Sequence, residues 1–228
     1  MKKKSKVILR LVIILLCVAI GYKAYKTAKQ YIYENTILKQ IITRLEADSR
    51  VAEVLVTGVN YNESDQRTTT TIKFLEYDSS GRPLEPKYFH FSGNIIQFQS
   101  LVVRFDDLYI RQADRLKGKS AYLFWKVFML NGKETQEYEI TKINKVPRGY
   151  QLENQENPVE TKFWLHFWEY ALDPKRAQFE GIKNAQIEAP GTMFVPGNLY
   201  TIKIEHDGGL RIDSAPLSKI LLGEQIPL

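Results

Sequence analysis

MKKKSKVILRLVIILLCVAIGYKAYKTAKQYIYENTILKQIITRLEAD, residues 1–48, is the stretch whose reading decides the architecture. Lys2, Lys3, Lys4, Lys6 and Arg10 form a basic cluster, residues 11–22 carry no charge, and residues 23–48 contain neither Gly nor Pro. A run free of helix breakers favours one continuous helix. The pattern predicts a cytoplasmic basic tail at residues 1–6, a transmembrane anchor at 7–22 and a stalk helix at 23–48. A tail, an apolar segment and a rigid spacer in that order would hold whatever follows at a defined height above a bilayer.

The anchor is short. Residues 7–22 number 16 with Arg10 tolerated, against the roughly 20 that span a hydrocarbon core. Lys and Arg near its ends can snorkel, and Ala24, Tyr25 and Ala28 extend the usable surface. The competing reading is a cleaved signal peptide, with Ala19-Ile20-Gly21 as the small-x-small cleavage site. It would start the mature chain near Tyr22 in mid-helix, which favours the uncleaved anchor. Five basic residues precede the apolar core, against Lys23, Lys26 and Lys29 just after it. The positive-inside rule therefore places the N-terminus in the cytoplasm and the remainder outside, in the periplasm or at the cell exterior for a bacterial inner-membrane protein.

Gly21, Ala24, Ala28, Tyr31, Asn35, Leu38, Ile42 and Leu45 succeed one another at alternating intervals of three and four, which is a heptad seam. Ala28, Asn35 and Ile42 occupy a positions, and a lone Asn at a is a device for fixing register. Glu34 at g and Lys39 at the next e have the spacing of an interchain ion pair in a parallel dimer. Upstream, the seam reaches Cys17 and Ile14, so small residues would let two membrane helices approach closely. The expected partners are the bilayer and either a second copy or another membrane protein. The alternative is that the stalk packs on its own domain, since Ile32, Ile37 and Ile41 lie outside the seam.

The net charge of +6 invites a nucleic-acid reading that its distribution removes. Beyond the basic cluster, 27 basic residues face 26 acidic ones with no basic run, so no nucleic-acid partner is expected. Cys17 is the only cysteine, which excludes an internal disulfide, and Leu16 before it departs from the small residue a lipobox wants.

The 180 residues beyond the stalk are enough to bury a core. They read as a mainly antiparallel β domain with inserted short helices, an α+β class. Strands are expected over 51–61 and 67–77, paired as a hairpin, then over 87–99, with a further one over 100–105. Asp106 and Gly118 would cap a short helix, and the apolar 121–130 would be a central strand, turning at Asn131-Gly132 into the polar, edge-like 134–140. Asn157-Pro158-Val159-Glu160 has Asn at the N-cap, Pro at N1 and an acid at N3, marking a helix. Its Lys162, His166, Glu169 and Asp173 form a solvent stripe, while Phe163, Trp164, Phe167, Trp168, Tyr170 and Leu172 fill the rest. Asp173-Pro174 would open a second helix ending near Gly181, followed by strands at 182–188, 199–205 and 210–213, the last two joined at Asp207-Gly208-Gly209. A β-rich region at 51–156 and a helix pair with strands at 157–228 form two subdomains or one domain.

No motif carries chemistry. His166 and Glu169 could supply two metal ligands, but a site needs a third, and a surface ion pair explains them better. Asp106-Asp107 resembles a carboxylate pair for acid-base work, yet Asp106 already serves as a cap. His206-Asp207 reads as turn chemistry. The triplet Asn62-Glu63-Ser64 matches a glycosylation acceptor and implies nothing by itself. No catalytic, cofactor-binding or metal residue is assigned, and no cofactor is expected. The leading expectation is a single-pass membrane scaffold or accessory subunit of a cell-envelope complex acting through protein contacts. The alternatives are an anchored or secreted hydrolase of envelope polymers, using Asp106, Asp107, His166 or Glu169 in a cleft, and a secreted ligand-binding module.

Overall fold

The computed structural model describes residues 2–45, 50–63, 67–104, 120–131, 134–152, 157–173, 175, 184–204 and 209–218. The chain divides into two compact units, Met1–Gln40 and Ile41–Leu228. The first is part of a single helix, α1 (Lys2–Leu45), whose last residues belong to the second unit. At 1.5 Å per residue, the 44 residues of α1 extend about 66 Å. Among its described side chains, every residue from Leu11 to Glu34 is exposed. Thr27 and Thr36 donate their hydroxyls back to the carbonyls of Lys23 and Ile32 at 3.0 and 2.9 Å, so neither interrupts the helix. This is one helix long and apolar enough to cross a membrane.

The second unit is a sandwich of two antiparallel sheets. β1 (Arg50–Asn62), β2 (Arg67–Glu76), β3 (Lys87–Phe91), β9 (Asn198–Ile204) and β10 (Leu210–Pro216) form the first, in the order β10-β9-β1-β2-β3. The second runs β6-β5-β4-β7, with β8 also on β4, from β4 (Ile95–Arg104), β5 (Ser120–Asn131), β6 (Glu134–Glu139), β7 (Asn184–Glu188) and β8 (Gly191–Met193). Strands from either side of Asn157 meet in both sheets, β1 with β9 and β4 with β7.

Period-two patterning produces this core. Ala52, Val54 and Val56 of β1 are buried while Val51, Glu53 and Leu55 are less so, and Tyr200, Ile202 and Ile204 of β9 repeat the alternation. The inner faces meet through aromatic rings. Phe74 of β2 stacks on Phe98 of β4 at 5.6 Å and meets Phe124 of β5 edge-on at the same distance. Phe194 bridges Phe98 and Tyr200 at 5.8 and 4.4 Å. Side chains of β6 reach the end of β3: the Tyr138 hydroxyl donates to the His90 carbonyl at 2.7 Å, and Gln136 accepts from the amide of Ser92, just after the strand, at 2.8 Å.

The structure departs from the expected strands in two places. The run 87–99 is two strands in different sheets, because Ser92, Gly93 and Asn94 turn the chain between β3 and β4. Residues 100–104 then continue β4 and do not form a separate strand. The continuity was masked by a bulge: Gln99 pairs with Lys126 and Ser100 with Phe124, leaving Trp125 without a cross-strand partner. The bulge keeps both Phe124 and Val127 in the core and breaks the simple alternation. Pairing of Asn131 with Glu134 makes residues 132–133 the β5–β6 connection, one position later than the Asn-Gly signal suggests. The expected helix with Asp106 and Gly118 as caps, the helix after Pro174 and the turn at 207–208 lie outside the described residues.

α2 (Pro158–Leu172) packs on β4 and β7 of the second sheet. The Asn157 side chain accepts from the amides of Val159 and Glu160, as the sequence signals, and Pro158 stands at N1. Trp164, Phe167, Trp168 and Ala171 are buried, with Trp168 6.4 Å from Trp125 and its indole N–H donating to the Lys145 carbonyl at 2.9 Å. Leu165 and Leu172 are exposed, so the buried face is narrower than the apolar content implies.

The turn after β2 gives a sharp stability test. The Asp78 carboxylate accepts from the Ser80 amide at 2.8 Å and from the Arg82 amide and guanidinium at 2.9 Å each, while Gly81 takes φ +74°. Burial alone would raise the carboxyl pKa, but these donors outweigh it and hold it below the ordinary 3.8. A depressed carboxyl stabilises the fold above its unfolded pKa, and the contribution is lost as pH falls through the folded value. Asp78→Ala is expected to cost about 1–2 kcal/mol near neutrality. The gap from the parent, read as urea midpoints, narrows below pH 3.8.

Candidate functional site

Two features of the molecule stand out. One is the exposed length of α1, and the other is a cleft in the second unit.

On α1, Gly21, Ala24, Ala28 and Tyr31 of the heptad seam are all exposed. Asn35 and Leu38 are half-buried. Ile42 and Leu45, at 7% and 2% exposure, are buried in the second unit. The seam is thus open to a partner helix at its upper residues, whereas its last two positions are core. Ile41, outside the seam, is 1% exposed and belongs to the same core. Arg44 stands in the last turn of α1. Its guanidinium donates to the carbonyls of Tyr150 and Leu152 at 3.2 and 3.1 Å and also to that of Gln151. A cation in the last turn of a helix is electrostatically favoured, and this one also ties the helix to a loop more than a hundred residues away. From the other side, Glu160 of α2 accepts the Leu152 amide at 3.0 Å, so residues 150–152 are held between two helices.

The cleft lies beside that loop and has a volume of about 450 Å³, within the range of small-molecule sites. Its apolar lining is Phe74, Leu84, Ile140 and Val146; its charged lining is Lys87, Lys142, Lys145 and Arg148 with Glu76, Glu85 and Glu160. β2 and β3 supply one wall, the segment after β6 another, and the first turn of α2 a third. Asn144, at the crest of the segment after β6, has φ +60°, a left-handed conformation that Asn tolerates better than most residues.

The charges are not equivalent. Arg148 pairs with Glu85 at 2.6 Å in an exposed bridge. Glu160 is 1% exposed and holds the Leu152 amide. Lys87 is half-buried, and its ammonium donates to the Ile140 carbonyl. Burial pushes its pKa below 10.5; Glu76 opposes the shift, Arg148 and Lys142 add to it, and Glu85 opposes it in turn. The α2 N-terminus does not add an anion site, because Asn157 occupies its leading amides and Glu160 offsets its dipole.

The residues considered for catalysis do not converge here. His166 Nδ1 and Glu169 Oε2 lie 3.1 Å apart, at 44% and 42% side-chain exposure, as a surface pair on α2. Neither lines the cleft. Asp106, Asp107, His206 and Asp207 lie outside the described residues, as does Ser64 of the glycosylation triplet. Among the described residues no group of three or more His, Cys, Asp or Glu is placed to hold a metal. Cys17 is exposed on α1. Sequence reasoning missed Lys87, Arg148 and Arg44. Their roles depend on carbonyls and loops distant in sequence, and no local spacing announces them.

No protein-family model, no curated protein and no solved structure matches the chain.

Proposed function

We propose that the protein is a single-pass membrane protein, N-terminus in the cytoplasm, whose β-sandwich unit acts outside the cytoplasm as a scaffold or accessory subunit of an envelope complex. The observation that supports this reading is the unbroken apolar run from Leu11 to Ile20, every side chain of it exposed. Large apolar side chains exposed together on one helix have no stable place in water, and a bilayer or a partner satisfies them. No acidic residue precedes Glu34, so the flanks are basic only, which fits a cytoplasmic tail at an anionic membrane surface. Tyr22 and Tyr25, both well exposed, stand where an interfacial aromatic belt would be. The extracytoplasmic placement follows from the charge asymmetry alone.

Association is assigned to the exposed part of the seam in a parallel pair. Cys17 occupies the d position one heptad before Ala24, which makes it a native reporter. A short thiol cross-linker applied to membranes is expected to give a covalent dimer that Cys17→Ser abolishes. Ala24→Cys in the Cys17→Ser background restores it, and Lys26→Cys, off the seam, does not. Equal cross-linking at positions 24 and 26, or none from Cys17, would exclude the seam as the contact.

A further inference from the structure

We propose that the cleft beside Lys87 binds a small organic carboxylate, with Lys87 receiving the anion and Leu84 and Val146, backed by Phe74 and Ile140, receiving its apolar body. This does not depend on membrane attachment and concerns the second unit alone.

Three observations carry it. First, an ammonium has three donors, and among the described residues Lys87 uses them on one partner, the Ile140 carbonyl. A half-buried cation with donors to spare has lost hydration without replacing it, a cost an incoming acceptor removes. Second, the uncommitted charge around the cleft is positive. Glu85 is engaged by Arg148, and Glu160 is buried on the Leu152 amide. Lys142 and Lys145 are exposed and carry no ion pair among the described residues. Glu76 tempers this field without reversing it. Third, part of the lining is apolar: Leu84 and Val146 are half-buried at its surface, with Phe74 and Ile140 behind them. Inorganic anions gain nothing from such a lining, whereas an anion on an apolar scaffold uses both parts. The desolvated Lys87 amine points the same way, because a bound carboxylate would restore its pKa.

Benzoate and benzylammonium, matched in size and opposite in charge, are the probes. The full-length protein in detergent, its lysines labelled with ¹³C at Cε so that charge and all three ammonium donors are kept, is titrated with each and followed by NMR. The Lys87 resonance is identified by its loss in Lys87→Met. Benzoate is expected to shift that resonance saturably and raise its titration midpoint, while benzylammonium leaves it in place. In Lys87→Met, benzoate affinity read from the remaining resonances falls by about tenfold or more. Should Lys87→Met fail to fold, the double variant Lys142→Gln/Lys145→Gln decides, with a several-fold loss expected and the Lys87 signal intact. A Lys87 resonance unmoved by benzoate, an equal response to benzylammonium, or unchanged affinity in the variants would overturn the assignment.

Discussion

Phe74→Ala is expected to lower the stability of the β-sandwich by about 3–5 kcal/mol. Phe74 is 1% exposed and its ring meets Phe98, Phe124 and Phe89 at 5.6, 5.6 and 6.3 Å, so it joins β2 and β3 of one sheet to β4 and β5 of the other. Truncation removes the transfer energy of the ring and leaves a void walled by rigid aromatic neighbours that cannot collapse into it. The same ring lines the cleft, so the void would also open toward water. Domains have about 5–15 kcal/mol in total, and a loss of this size brings the unit near its unfolding threshold. Urea unfolding of the full-length protein measures it. Leu130→Ala, on β5 but 62% exposed, provides the control and should stay within about 0.5 kcal/mol. Equal midpoint shifts for the two variants would mean that the sheets are not joined through Phe74.

The second large effect concerns the anchor. Ile14→Asp and Leu15→Asp each place a carboxylate within the apolar run of α1, at about 3–4 kcal/mol per substitution at a bilayer centre. The segment is short, so no spare apolar length compensates by sliding, and the double variant is expected to leave the membrane fraction for the soluble one or to be degraded. Thr43→Asp is the matched control, exposed on the same helix beyond the apolar run, and should remain membrane-bound. Retention of the double variant in carbonate-washed membranes would mean that something other than this segment holds the protein there.

What could be read in advance follows from the range of the interactions involved. The β1–β2 hairpin and the α2 N-terminus are local. Alternating Val and Ala residues and the Asn157-Pro158-Val159-Glu160 cap specify themselves over a few positions. The polar edge strand β6 is legible because five of its six residues are exposed. The division of 87–104 between two sheets was not legible, since three small or polar residues between apolar runs read equally as a bend within one strand. Trp125 was unreadable for a related reason: in an apolar run, a bulge leaves no polar residue out of place to betray it. The stalk shows the limit of pattern reading most clearly. Heptad spacing continues through Ile42 and Leu45, yet both are buried in the sandwich unit, because a period shared by a coiled coil and an amphipathic helix cannot say which surface covers it. The Arg44 contacts with residues 150–152 and the Lys87 cleft join segments tens of residues or more apart, and single-sequence patterning has no access to that distance.

The central claim is that this chain keeps its N-terminal helix in a membrane and presents the sandwich on the far side. Intact mass and N-terminal sequence of the membrane-extracted protein, taken after protease treatment of whole cells, spheroplasts and detergent-opened spheroplasts, test it in one experiment. The account predicts a chain that retains residues 1–22, with the sandwich reached by protease once the outer barrier is removed and the basic tail cut only after detergent. A chain beginning near Tyr22 in the soluble fraction, or a sandwich unit protected until detergent is added, would contradict it.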